Sequence, residues 1–88
     1  MTNSTIWKKV LPNKGQNILH LPEGSELLHV QEQNDNVCLW YCCSPGNPLV
    51  ERKFAVIHTA DMIPDNAEYI GTSLSISGKL VHHVFEIK

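Results

Sequence analysis

Residues 37–58 constrain the fold more than any other part of the chain. Two runs in which apolar residues recur at every second position flank the loop Ser44-Pro45-Gly46-Asn47-Pro48. An apolar period of two is typical of β-strands, and a loop that contains two prolines interrupts regular structure. The pattern therefore predicts a strand, a loop and a second strand.

The period of two continues on both sides of this segment, and helical spacing does not persist anywhere. Turns rich in Gly, Pro, Asn and Asp separate seven predicted strands, the last two of which are expected to form a hairpin about Ser77-Gly78. Their ranges are residues 6–11, 16–21, 26–33, 37–43, 49–58, 68–77 and 79–87. A chain of 88 residues with about seven short antiparallel strands predicts an all-β fold, either a small barrel or a two-sheet sandwich. We expect a disordered N-terminus over residues 1–4 and a single β-domain over residues 5–88.

The fourth and fifth predicted strands indicate which faces are buried. The strand over residues 37–43 is apolar on both faces, which is typical of a strand that is central in its sheet or covered on both sides. On the strand over residues 49–58, Arg52 shares a face with Phe54, whereas Lys53 shares the opposite face with Ala55. We expect this long strand to bend or to cross from one sheet to the other.

The third strand, over residues 26–33, alternates less clearly. A strict period of two places Leu28 and Val30 on one face and Leu27 on the other. We therefore expect this strand to be half-buried.

Charge and hydropathy exclude several classes of partner. Seven basic and nine acidic residues give a net charge of −2, without the positive field that duplex nucleic acid requires. No window approaches the roughly 20 apolar residues of a membrane span, and residues 1–4 lack the apolar core of a signal peptide. We expect a cytosolic protein that binds neither duplex nucleic acid nor membrane.

The cysteines and histidines do not form a recognisable metal or catalytic motif. Cys42 and Cys43 are adjacent and only one further cysteine, Cys38, is present, so a disulfide scaffold is not expected. The spacing of these cysteines and of His82-His83 differs from that of zinc sites, and no nucleophile elbow, HExxH or P-loop pattern occurs. We expect packing roles for the cysteines, no metal, no cofactor and no catalytic residue.

Arg52 is the only arginine, and two interpretations of it remain open. An arginine on a strand can clamp an anion through two parallel hydrogen bonds. The alternative is a cross-strand ion pair with Glu68 or Glu86. For Trp40, core packing and a stacking platform for a base are likewise both open.

Several short runs, taken together, resemble a small domain family of unknown function that is widespread in tailed phages and prophages. The resemblance covers nearly the whole chain after Thr5, and the family pattern usually has a glycine on each side of a threonine near Thr59, followed by a histidine. In this chain His58, Ala60 and Asp61 occupy those positions. The runs that carry the resemblance are Ile6-Trp7-Lys8, Cys38-Leu39-Trp40, Glu51-Arg52-Lys53-Phe54, Ile63-Pro64, Tyr69-Ile70-Gly71-Thr72 and His83-Val84-Phe85-Glu86.

The resemblance implies a non-enzymatic phage accessory protein in the host bacterial cytoplasm. Our first hypothesis is a counter-defence factor, a homo-oligomer (dimer or higher) that sequesters a nucleotide-derived immune signal in a pocket between protomers. The expected ligand-binding residues are Arg52 for a phosphate, Trp40 or Tyr69 for stacking, Thr59 and Thr72 for sugar or phosphate, and His83. The alternatives are an inhibitor that docks on a host defence effector or nuclease, and a structural phage accessory protein.

Overall fold

Seven antiparallel strands form two sheets that pack face to face as a sandwich and do not close into a barrel. The computed structural model describes residues 4–75 and 77–88, and the expectations for residues 1–3 and for Ile76 lie outside the described residues. One sheet has the order β1-β4-β3 and the other has the order β2-β5-β7-β6. The strands are β1 Thr5–Leu11, β2 Gly15–Pro22, β3 Glu26–Gln33, β4 Asn36–Cys43, β5 Leu49–His58, β6 Ala67–Leu74 and β7 Val81–Ile87. The all-β prediction is confirmed, and of its two variants the sandwich is the correct one.

The first five strands agree with the predicted ranges to within one residue at each end, but the connection between β6 and β7 is longer than predicted. β6 ends at Leu74 and β7 begins at Val81, so both strands are shorter here than predicted, but they pair antiparallel with Leu74 opposite Val81, which confirms the hairpin about Ser77-Gly78. The N–H of Ser75 donates to the C=O of Leu80 at 2.9 Å, and the N–H of Leu80 donates to Oγ of Ser75 at 3.1 Å. These local hydrogen bonds close a wider loop.

The turn between β3 and β4 follows directly from the sequence. Gln33 and Asn36 are paired, and the two residues between them, Asn34 and Asp35, have φ angles of 52° and 64°. Positive φ at both central positions is the type I′ hairpin turn, whose twist matches that of the flanking strands. Asn and Asp adopt this conformation more easily than other residues with a side chain.

The main core lies between the two sheets. From β4, the alternate residues Val37, Leu39, Tyr41 and Cys43 all point into it, and each is at most 1% exposed. From the facing sheet, the core receives Leu21, Phe54, Val56 and Val84. β5 pairs with β2 and β7 within one sheet, so of the two alternatives for this strand the crossing from one sheet to the other was wrong.

A β-bulge in β3 changes which residues reach the core. The register shifts between Leu27 and His29, so that Leu28 is an extra residue opposite β4. Leu27 and Val30 both pack against the core, whereas Leu28 is 50% exposed. The expectation that Leu28 and Val30 share a face is therefore wrong, because a bulge interrupts the period of two.

The outer face of the four-stranded sheet carries a second, smaller apolar cluster. Ala55, Ile57 and Phe85 are at most 9% exposed, and Ala67 and Ile87 pack against them. These residues lie on the face opposite the main core, since Phe54, Val56 and Val84 alternate with them along β5 and β7. This sheet is therefore apolar on both faces.

No helix in the described part of the chain is long and apolar enough to cross a membrane. The three cysteines are free thiols; Cys38 and Cys43 are buried and Cys42 is half-buried, which confirms their interpretation as packing residues. Burial raises the pKa of the Cys43 thiol.

Candidate ligand-binding site

The connection between β5 and β6, residues 59–66, forms two adjoining clefts with the outer face of the four-stranded sheet. The first, which we call the His83 cleft, has a volume of about 240 Å³. Its lining includes Ile57, Thr59, Ala60, Ile63, His83 and Phe85. The second, the Lys14 cleft, has a volume of about 370 Å³ and is lined by Lys14, Gln16, Ala55, Asp61, Met62 and Pro64 among others.

Four of the side chains expected to bind ligand form one continuous hydrogen-bonded row beside the His83 cleft. The hydroxyl of Tyr69 lies 2.6 Å from Oγ1 of Thr72. Oγ1 of Thr72 lies 3.1 Å from Nδ1 of His83, and Nε2 of His83 lies 3.0 Å from Oγ1 of Thr59. We call this set, Tyr69, Thr72, His83 and Thr59, the polar row.

A second β-bulge creates the row. Thr72 and His83 are paired across β6 and β7, and so are Tyr69 and Phe85. Residues three apart on a regular strand point to opposite faces, but the register shift between Tyr69 and Gly71 returns Thr72 to the same face as Tyr69. The bulge therefore brings the two hydroxyls within hydrogen-bonding distance.

A tight turn at the end of β5 positions Thr59. The N–H of Asp61 donates to the C=O of His58 at 3.0 Å, and Oδ2 of Asp61 accepts from the N–H of His58 at 3.3 Å. Ala60, inside this turn, has a φ of 77°. This φ lies in the left-handed region, in which glycine is favoured. Ala60 occupies one of the two positions at which the family pattern that this chain resembles usually has glycine.

The floor of the site is apolar and aromatic. Ile57 and Phe85 are 7% and 9% exposed beneath the cleft. The ring of Tyr69 meets the ring of Phe85 edge to face, with centroids 5.6 Å apart and an interplanar angle of 68°. Tyr69 is nevertheless 58% exposed, so much of its ring remains open to a stacking partner.

Arg52 lies on the opposite face of the same sheet and is engaged by Glu86. Its Nε and one terminal nitrogen donate to the two carboxylate oxygens of Glu86 at 2.6 and 2.8 Å, and the other terminal nitrogen donates to the C=O of Ser25 at 2.6 Å. The side chains of Arg52 and Glu86 are 19% and 6% exposed. The hydrogen bonds from Arg52 lower the pKa of Glu86. Of the two interpretations of Arg52, the ion pair with Glu86 is the one that the structure contains.

Lys53 is a cation on the face of the polar row, and the sequence-based hypothesis did not include it. It is exposed, and its cross-strand neighbour is Ile87, which packs against the cluster of Ala55 and Phe85. Within residues 4–75 and 77–88, Lys53 has no ion-pair partner. The sequence feature that could have indicated Lys53 as a site residue is that it shares a strand face with Ala55 and Ile57.

Trp40 lies on the other sheet, away from the polar row. Its alternate neighbours on β4 fill the core, so its half-buried ring faces outward from the three-stranded sheet. The ring centroid lies 6.2 Å from that of His29. The structure therefore brings Tyr69, Thr59, Thr72 and His83 together in one row and places Trp40 on the other sheet. Arg52 is not part of the row, although it lines a third cavity, of about 380 Å³, together with Tyr69 and Glu86.

The polar row can exchange hydrogen bonds with a ligand, but it lacks the charge distribution of a catalytic triad. In a triad a carboxylate orients the histidine and stabilises its protonated form. Nδ1 of His83 instead meets the hydroxyl of Thr72. No group of three or more His, Cys, Asp or Glu side chains among the described residues could hold a metal ion.

Comparison with known proteins gives a family without an assigned activity. No curated protein and no solved structure matches the chain. A family model described as "Domain of unknown function (DUF7352)" matches residues 2–88. The match covers nearly the whole chain, and the protein therefore belongs to the DUF7352 family of domains of unknown function.

Proposed function

We propose that this protein is a non-enzymatic binding module that holds a nucleotide-derived small molecule on the outer face of its four-stranded sheet. The observation that carries the proposal is the polar row beside the His83 cleft, above a floor of Ile57 and Phe85. Small-molecule sites combine apolar lining with a few convergent polar groups in this way. The cleft volume of about 240 Å³ suits a single heterocycle better than a whole dinucleotide.

The chemistry of each part of the site suits one part of a nucleotide. The exposed ring of Tyr69 offers a stacking surface, and any nucleobase has a face that an aromatic ring can cover. The hydroxyls of Thr59 and Thr72 can hydrogen-bond a base edge or a sugar. Lys53, on the same face, supplies positive charge for a phosphate in place of Arg52.

The setting of this activity rests on the resemblance to small proteins of tailed phages and prophages. Sequestration of a nucleotide-derived immune signal in the bacterial cytoplasm requires binding alone. A carboxylate-free Thr59–His83–Thr72 arrangement favours such a role over hydrolysis. The proposal is therefore a phage counter-defence factor that binds its ligand without altering it.

The test is ligand-induced thermal stabilisation with cyclic dinucleotides and ADP-ribose derivatives as probes. A ligand at 100 times its dissociation constant stabilises the folded state by about 2.7 kcal/mol, which raises the melting temperature of a domain of this size by roughly 10–20 °C. Thr72→Val removes the hydroxyl between Tyr69 and His83 and is expected to weaken binding by about tenfold, equivalent to one hydrogen bond of ~1.4 kcal/mol. Thr5→Val makes the same change on the other sheet and serves as the matched control.

Two further results bear on the proposal. Lys53→Gln is expected to weaken the binding of phosphorylated probes more than the binding of the corresponding nucleosides. The absence of a melting shift with every probe, or equal binding by the Thr72→Val and wild-type proteins, would contradict a nucleotide site at the polar row. Mass spectrometry of the recovered probe distinguishes binding from turnover, and a cleaved probe would overturn the non-enzymatic assignment.

A second candidate, an inhibitor that docks on a host defence effector or nuclease, is favoured by exposed apolar side chains around the same clefts. Met62 and Ile63 are 89% and 58% exposed, and Leu74 is 62% exposed. Exposed apolar patches of this kind mark sites of protein–protein interaction. Ile63→Glu is expected to abolish capture of a host effector, whereas Ile6→Glu, at an equally exposed site on the other sheet, retains it.

A further inference from the structure

The outer edge of β2 differs from the other sheet edges because it has neither a formally charged residue nor a β-bulge, and only its last residue, Pro22, is a proline. β1, at the edge of the other sheet, carries the exposed charge of Lys8, and β3 and β6 each contain a β-bulge. Charges and bulges are the usual devices that keep an edge strand from pairing with another chain. β2, Gly15–Pro22, contains no Lys, Arg, Asp or Glu, and its register with β5 is unbroken.

The direction of the backbone groups on β2 follows from one hydrogen bond just beyond the strand. The N–H of Glu23 donates to the C=O of Pro48 at 2.8 Å, next to the Pro22–Leu49 pair. Because hydrogen-bonded and non-hydrogen-bonded pairs alternate in antiparallel strands, every second residue of β2 turns its N–H and C=O away from β5. Pro22, which has no N–H, occupies one such outward position. The others are Gln16, Ile18 and His20.

These three residues make no other hydrogen bond through the backbone within the described parts of the chain. Their side chains are exposed, with Ile18 at 53% and the side chain of His20 at 57%. They lie on the outer face of the sheet, beside Lys53 and Ala55. The edge therefore presents a regular set of free donors and acceptors with an apolar residue at its centre.

We infer that two copies of this chain pair through β2, antiparallel about a two-fold axis at Ile18, so that their four-stranded sheets become one continuous sheet. In this register Ile18 meets Ile18 of the partner subunit, and Gln16 meets His20 of the partner subunit. Each pair exchanges both backbone hydrogen bonds, and Ile18 gains an apolar cross-strand contact. A two-fold pairing of β1 would instead bring lysines together, which is unfavourable.

The self-complementarity of this edge is the reason why we expect its partner to be a second copy of the chain. An edge without formal charge does not repel its own copy, and its polar residues, one amide and one imidazole, match each other across the axis. Gln16 also lines the Lys14 cleft, so the partner's His20 would stand at the wall of that cleft. The pairing does not involve the polar row, and it can therefore hold or fail independently of the proposed ligand.

The test is the mass of the protein in solution by light scattering and sedimentation over a range of concentrations. The wild-type chain is expected to be a dimer that dissociates on dilution. Ile18→Lys places two lysines against each other and is expected to give a monomer. Val10→Lys makes the same kind of change on the β1 edge, where Val10 is 51% exposed, and is expected to leave the dimer intact.

Two measurements make the result specific. Ile18→Pro removes one outward N–H at a position where proline is tolerated on an edge strand, and it is also expected to give a folded monomer by circular dichroism. Hydrogen exchange is expected to protect the amides of Gln16, Ile18 and His20 in the wild-type dimer and to release them in Ile18→Lys. A monomeric wild-type protein up to millimolar concentration, a dimer that survives Ile18→Lys, or rapid exchange of these three amides in the dimer would overturn the inference.

Discussion

Val30 of β3 packs directly over the backbone of Gly71 of β6, and this contact joins the edges of the two sheets. A β-carbon placed on Gly71 would lie 3.1 Å from Cβ of Val30 and 3.2 Å from its Cγ2. These distances are shorter than ordinary van der Waals contacts. The absence of a side chain at Gly71 is therefore what allows β3 and β6 to approach each other, and it does so within the bulge that also creates the polar row.

Gly71→Ala is expected to destabilise the fold by about 1–3 kcal/mol, the usual cost of overpacking. Because the bulge places Thr72 beside Tyr69, the substitution is also expected to weaken ligand binding at the polar row. Gly46→Ala is the control, since its added β-carbon would meet no atom within 4 Å. Urea denaturation measures both variants, and equal stability of the two would show that Val30 can move aside without cost.

Removing Arg52 from its ion pair with Glu86 is expected to destabilise the fold by about 2 kcal/mol or more, because the buried carboxylate loses two hydrogen bonds and, among the described residues, keeps only that from Lys88 at 3.3 Å. Arg52→Leu alone is therefore expected to be less stable than the double variant Arg52→Leu/Glu86→Leu, which leaves no isolated charge. The midpoint of urea unfolding gives the comparison. A double variant that is less stable than Arg52→Leu would contradict this account of the pair.

The same pair predicts an acid dependence of stability. The pKa of Glu86 is lowered in the folded state, chiefly by the hydrogen bonds from Arg52, so the unfolded state takes up a proton first as the pH falls. The stabilisation is complete above the usual carboxyl range, around pH 4.5, and is lost as the pH falls through the lower folded pKa. Glu86→Gln is expected to flatten this part of the stability profile, measured by thermal unfolding at low pH.

His82 predicts a second pH dependence, at higher pH. It is 2% exposed, and neither ring nitrogen has a hydrogen-bond partner among the described residues. Burial lowers its pKa below 6.5, and His58, whose ring centroid is 5.1 Å away, and His83 lower it further, while Glu32 opposes them. Stability is therefore expected to be constant above this range and to fall as the pH drops below about 6.5, because only the unfolded state binds the proton there.

His82→Leu removes the titrating group and tests this assignment. The variant is expected to retain its stability between neutral pH and the folded pKa of His82, where the wild-type protein weakens. Thermal unfolding over this range gives both curves. Parallel curves for the two proteins would assign the pH dependence to another group.

Ala60→Gly is expected to stabilise the protein by up to about 1 kcal/mol. At its φ of 77°, alanine incurs a steric cost of roughly 1–2 kcal/mol. Glycine removes this cost, but part of the gain is offset because glycine increases the conformational entropy of the unfolded chain. Ala67→Gly, in β6, is the matched control and is expected to destabilise by about 0.5–1 kcal/mol. Melting temperatures that move in the same direction for both variants would refute the strain at Ala60.

The strand positions could be predicted because period and turn residues are local signals. The faces of β5 also followed, since Ala55 and Ile57 alternate regularly with Phe54 and Val56. Bulges could not be predicted, because the extra residue at Leu28 gives no signal in a pattern of apolar residues. The same limitation applies to β6, where the bulge includes a glycine that packs against a residue 41 positions away along the chain.

The candidate site was predictable in its residue types but not in its geometry. Tyr69, Thr72, His83 and Thr59 were expected to bind one ligand, and the structure connects them through hydrogen bonds. Nothing in the sequence indicated which of two carboxylates would pair with Arg52, because that depends on the register of β5 with β7. Lys53 could not be predicted as a ligand-binding residue, because a strand face shared with apolar residues does not distinguish it from any other exposed lysine.

The protonation of the two ring nitrogens of His83 sets the direction of the hydrogen bonds along the polar row. A neutral imidazole donates through one nitrogen and accepts through the other. If Nδ1 carries the proton, Thr59 gives its hydrogen to Nε2, and the free hydrogen is that of Tyr69 or of Thr72; if Nε2 carries it, Tyr69 and Thr72 give theirs toward Nδ1, and that of Thr59 is free. The row can therefore donate to a ligand acceptor at only one of its ends at a time, and an acceptor bound at one end selects the tautomer that the other end presents.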